Sequence, residues 1–200
     1  MAAVLANIVL KVTGPEATML CQNDQLRAGL KVRIDGAIHG VQALWDKNWS
    51  TEEWFFFLID TNIAFNEINR VGVLWTVQNL WLSIARFVFN CYRHWSSIVF
   101  LNGNGTDSIL HSREGMTQGD TLVMIPYGIW ILPLIKNIKQ AIPDVIQPWY
   151  ADDAGDLGTF GRLETYFDSL TRQGQTVQER TDHMPGESRG WKSVRSMSRI

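Results

Sequence analysis

The chain has 200 residues, 46% of them apolar, with nine Trp and nine Phe; this suffices to bury one domain's core and excludes a disordered polar segment. Its net charge is −2, so the basic excess with which many nucleic-acid binders displace counterions from phosphates is missing. The acidity concentrates in residues 51–160, which hold 6 basic and 11 acidic side chains, a balance that suits a domain holding divalent cations.

In chain order, residues 4–34 mix an apolar run (Val4 to Val12), a turn at Gly14-Pro15 and an amphipathic stretch from Ala17 to Leu30. His39 to Trp45 predicts a helix, and Asp46 to Ser50 a polar loop. Trp54 to Ile59, dense in aromatic and β-favouring residues, predicts a buried strand that ends in Asp60. From Ala64 to Trp95, apolar residues recur every three or four positions (Leu74, Val77, Leu80, Ile84, Phe87, Val88), which predicts one or two helices. Ser97 to Leu101 and Asp107 to His111 flank Asn102-Gly103-Asn104-Gly105, a strong hairpin signal. Gln118-Gly119-Asp120 opens an apolar segment to Ile138, read as a buried helix strained by Pro126 and Pro133. Val145 to Leu157 predicts a second hairpin with Asp152-Asp153 at its tip, and Arg162 to Thr171 a helix. Past Gly174, polar residues dominate and no period survives, so residues 173–200 are expected to be loosely ordered or degenerate. This order predicts an α+β fold, with helices on one face of a small antiparallel sheet.

Cys21, Cys91 and the four scattered histidines show no zinc-type spacing. The cysteines fit free thiols of a reducing compartment or a single disulfide. The longest apolar stretch, Thr121 to Ile135, falls short of the roughly 20 residues of a membrane helix, and the N-terminus lacks a basic n-region. The expectation is an intracellular protein, cytoplasmic or nuclear, with no membrane partner.

Three acids stand out. Asp60 ends an intensely apolar strand, where an unpartnered carboxylate is costly. Asp152 and Asp153 are adjacent like charges, which repel unless a cation stands nearby. Magnesium ions, bound by a few carboxylates plus phosphates and water, resolve both problems. Each signal also has a plain reading: Asp60 as a helix cap, Asp152-Asp153 as a solvated turn, Gln118-Gly119-Asp120 as an ordinary turn, and Phe65 as core packing after a strand.

As an ordered set, these residues resemble the palm motifs of reverse transcriptases, particularly the non-LTR retrotransposon branch. Asp60-Thr-Asn-Ile-Ala-Phe65 looks like the first motif, Arg113-Glu-Gly-Met-Thr-Gln-Gly-Asp120 like the second, and Tyr150-Ala-Asp-Asp153 like the third. The resemblance covers about residues 4 to 172. It implies a palm-like core over 51–172, with a partial fingers segment over 1–50. It implies RNA-directed DNA polymerase activity on an RNA template, a DNA primer and dNTPs, with two Mg2+ ions (or Mn2+) held by Asp60, Asp152 and Asp153. Phe65 becomes the gate against a ribose 2′-hydroxyl, Gln118 and Gly119 shape the nucleotide pocket, and Tyr150 lies near the primer end.

The chain departs from the family's pattern in places. Thr121 stands where proline usually follows Gln-Gly-Asp. The basic fingers segment that grips the triphosphate is not found, although Lys31 and Arg33 offer charge nearby. Lys192 is the one candidate for the lysine that follows the catalytic hairpin, and its surroundings lack the expected apolar strand. No primer grip or thumb is recognisable. The alternative expectation is therefore a catalytically inactive, retroelement-derived remnant with at most weak nucleic-acid binding.

Overall fold

The computed structural model describes residues 2–26, 33–48, 50, 53–61, 64–101, 103, 108–117, 119–182 and 193–197. Helix α1 (Ala2–Cys21) is followed by α2 (Arg33–Asn48), strand β1 (Trp54–Thr61) and helices α3 (Ala64–Glu67), α4 (Arg70–Leu80) and α5 (Leu82–Tyr92). Then come the hairpin strands β2 (Ser96–Phe100) and β3 (Ser108–Ser112), α6 (Met124–Ala141), β4 (Trp149–Tyr150), β5 (Asp153–Thr159), α7 (Phe160–Asp182) and β6 (Ser193–Met197). The main sheet is antiparallel, in the order β4-β5-β1-β6.

Strand period 2 sorts this sheet into two unlike faces. Phe57 and Ile59 of β1 and Ala154 of β5 are buried on one side, where α7 packs; Phe57 meets Phe167 edge-on at 5.5 Å. Leu58 and Asp60 point the other way and are exposed. Behind the covered face, α6 contributes Ile129, Ile131, Ile135 and Ile138, all within 1% of full burial, and α1, α4 and α5 pack around it. The sheet thus has helices on one face, as its sequence predicts, while α2 flanks the open face across a cleft.

Four local readings differ. The expected turn at Gly14-Pro15 is absent, because α1 runs through it, with the Trp81 indole N–H donating to the Thr13 carbonyl at 3.1 Å. As one unbroken helix, Val4–Cys21 has the length and apolarity of a membrane span. Its buried residues Ala6, Thr13, Ala17 and Cys21 form a seam on the core. Helix α6 begins at Met124 rather than at Gln118, since Asp120 folds into a turn whose carboxylate accepts from the Leu122 N–H at 3.1 Å. Pro126 then lies in the first turn, where its missing N–H has no helical partner to lose. Helix α7 continues past Gly174 to Asp182. Finally, Ser193–Met197 is a strand on the outer edge of β1, where a loosely ordered tail is expected. Its sequence has no apolar run, and backbone pairing to an open strand edge makes it. Most of the Asn102–Gly105 turn, Lys31 and Lys192 lie outside the described residues.

Candidate metal centre

Asp60 follows the parity of Leu58 and Phe56, so the alternation that buries Phe57 and Ile59 pushes its carboxylate onto the open face. The antiparallel register sets Asp60 directly opposite Asp153 of β5, a placement in which like charges repel. Asp152 comes from the turn between β4 and β5. One carboxylate oxygen from each of the three lies within 4.8 Å of the others. The structure brings together the three acids that stand out in the sequence.

The electrostatics point the same way. Partial burial, then the charges of Asp153 and Asp60, push the Asp152 carboxyl above its usual range, against a backbone hydrogen bond that lowers it. Partial burial and then Asp60 push Asp153 up as well. A cation among the three would relieve both shifts at once. A cluster of carboxylate oxygens is a hard donor set, which suits a hard divalent cation rather than a soft metal.

The turn that delivers Asp152 is tightly specified. Ala151 is left-handed (φ 55) without being glycine and is fully buried. The Thr61 hydroxyl donates to the Asp152 carbonyl at 3.1 Å, tying the turn to the end of β1. Gln25, from the connector after α1, bonds both backbone groups of Ala151. In front of the sheet, Tyr150, Asp60 and Asp153 line a cleft of about 560 Å3 closed on its far side by Ile38 and Val41 of α2.

Phe65 is 9% exposed, just beyond β1, with its ring 5.0 Å from Tyr127. Burial, and next the charge of Asp152, push the Tyr127 hydroxyl above its ordinary range, so this aromatic pair lies within electrostatic reach of the acids. The segment 113–117 is stitched to the same place: the Met116 N–H donates to the Phe65 carbonyl at 2.6 Å and the Gly115 N–H to Ile68 at 3.1 Å. Gly115 has φ +69, and a Cβ there would sit 2.1 Å from the Asn66 carbonyl oxygen. Only glycine fits.

Arg70 holds this loop and was passed over in the sequence. Its guanidinium donates to the carbonyls of Gly115 (2.8 Å), Glu114 (2.8 Å) and His94 (3.0 Å), and to the Ser112 hydroxyl at 3.3 Å. A lone arginine among Ile68, Val71, Gly72 and Val73 is the one signal that could have found it. Of the remaining loop residues, Gly119 is left-handed (φ +86) and open, Asp120 accepts from the Tyr92 hydroxyl, and Gln118 lies outside the described residues.

No protein-family model matches the sequence, and no curated protein matches it. Among solved structures, the chain is similar to apo telomerase from Candida tropicalis lacking its C-terminal domain, with 12% identity and a TM-score of 0.63 over 96% of this chain and 41% of that one. It is also similar to telomerase from Candida albicans in complex with a TWJ fragment of telomeric RNA, with 10% identity and a TM-score of 0.64 over 94% of this chain and 35% of that one. At such identities the likeness shows the fold alone: α+β and polymerase palm-like. The chain spans well under half the length of these telomerases.

Proposed function

We propose that this chain is the palm of an RNA-directed DNA polymerase, of the non-LTR retrotransposon type by its motifs, which extends a DNA primer on an RNA template with dNTPs. The observation that carries the reading is the convergence of Asp60, Asp152 and Asp153 within 4.8 Å on the open face of a palm-like sheet. The Candida albicans telomerase of like fold is a protein in complex with RNA, which favours a nucleic-acid partner here. Asp60, Asp152 and Asp153 hold two magnesium ions (manganese serving as well), which when bound stabilise charge on the attacking 3′ oxygen and the leaving pyrophosphate. Phe65 bars a ribose 2′-hydroxyl by its bulk, Gln118 and Gly119 shape the nucleotide pocket, and Tyr150 supports the primer end. The open face is net acidic until cations bind, so association with nucleic acid should be weak and salt-sensitive.

The test joins two measurements on the whole chain. Mn2+ binding by calorimetry should fall about 10-fold or more in Asp152→Asn, as expected when one charged ligand is removed. Primer extension on an RNA template should be slow, dependent on Mg2+ or Mn2+, and abolished by Asp153→Ala. Equal Mn2+ binding by wild type and Asp152→Asn sinks the metal centre. Cation binding with no extension leaves the inactive-remnant reading in its place.

A further inference from the structure

The turn carrying Asp152 is held by a residue that is distant in sequence and belongs to none of the three palm motifs. Gln25 lies in the connector after α1 and is 0% exposed. Its side-chain carbonyl accepts from the Ala151 N–H at 2.7 Å, and its amide nitrogen donates to the Ala151 carbonyl at 3.0 Å. The amide thus acts as a one-residue strand partner for a backbone unit that no strand among the described residues pairs with. Beside it, the Leu26 N–H donates to the Trp149 carbonyl at 2.8 Å, extending the same pairing along β4.

Ala151 needs such a partner. It is buried, so an unmet N–H and C=O there would be costly. It is also a non-glycine residue in left-handed backbone, a conformation that persists where its surroundings impose it. A carboxamide carries its N–H donor and C=O acceptor on separate atoms, as a peptide unit does, and glutamine has the reach. The neighbours make room for it. Gly128 of α6 would place a Cβ 2.8 Å from the Gln25 Cγ, so α6 admits this side chain by lacking one of its own. The connector is fastened beyond by Asp24 to Lys139, at 2.8 Å.

We propose that Gln25 is a positioning residue for the metal centre, fixing the left-handed turn at Ala151 and hence where the Asp152 carboxylate stands relative to Asp60 and Asp153. The proposal rests on the triad reading above. Relaxation of Ala151 toward ordinary backbone would swing the next residue, and Asp152 is that residue. A purely structural Gln25 would affect melting and leave cation affinity alone.

The experiment measures Mn2+ affinity by calorimetry, with melting alongside, in the whole chain. Gln25→Met keeps the bulk and removes both hydrogen bonds; its Mn2+ affinity should fall about 10-fold, the usual lower cost of losing a residue that orients a ligand. Gly128→Ala, which crowds Gln25 without touching any acid, should weaken binding in the same direction. In a Gln25→Ala background, Gly128→Ala should have no further effect, since its target is gone. Wild-type affinity in Gln25→Met, or in Gly128→Ala should Gln25→Met not fold, overturns the proposal while loss of binding in Asp152→Asn keeps the metal centre standing. A wild type that binds no Mn2+ removes the metal centre itself, and this proposal with it.

Discussion

The two faces of the main sheet treat the same residue type in opposite ways. On β5, Asp153 points to the open face beside Asp60 and Asp152, while Asp156, three residues on, points under the helices and is fully buried. Both carboxyls are pushed up by burial first, and they differ in what else they face. Asp153 is raised by partial burial and then by the Asp60 charge, whereas burial alone drives Asp156 well above its range, offset in part by the Tyr166 hydroxyl facing it. An acid that also faces other acids can be relieved by a cation. An acid raised by burial is relieved by its own proton. Strand parity alone therefore separates a site suited to binding from a strained piece of core.

The comparison breaks hardest on the covered side. Phe57→Ala should remove the edge-on contact to Phe167 and leave a cavity between β1 and α7. The expected loss is about 3–5 kcal/mol, a fall of roughly 10 °C in the melting midpoint for a chain of this size. Asp60→Asn on the open side should do the reverse. Mn2+ affinity should drop about 10-fold or more, while the melting midpoint without cation should hold or rise, because Asp152 and Asp153 lose a charge that raises them both. A fall in the cation-free midpoint would mean that Asp60 serves the fold rather than a site.

What could be read beforehand follows from the range of the forces involved. Strand β1, its terminal Asp60 and the turn at Asp152-Asp153 were legible because local alternation and turn chemistry specify them. So were α4 and α5, from the three- and four-residue spacing that buries Val77, Ile84 and Val88. Helix α1 was missed because Gly14-Pro15 is a local breaker, overridden by packing and the Trp81 indole. Strand β6 was missed because a bare strand edge, not its own residues, makes it a strand. Gln25 left no trace, since a glutamine in an amphipathic stretch carries no pattern and its partner lies 126 residues away.

The smallest expected effect sharpens the comparison most. Neither oxygen of Asp156, nor the Tyr166 hydroxyl, completes a hydrogen bond of normal geometry, and burial pushes both groups up. With its folded pKa above the unfolded one, Asp156 keeps its proton in the native state after the unfolded chain has released it. Stability then falls as pH rises from the ordinary carboxylate range through the folded value, because the native state binds the extra proton. Asp156→Asn removes that dependence without removing volume. Its midpoint should match the wild type near about pH 4 and exceed it by a few degrees near about pH 8. Asp152 and Asp153 are also raised, but they titrate in both proteins and cancel in the difference. A constant difference across this range would mean that Asp156 is ionised in the fold, and the contrast between the two faces would then lie in solvent exposure rather than in protonation.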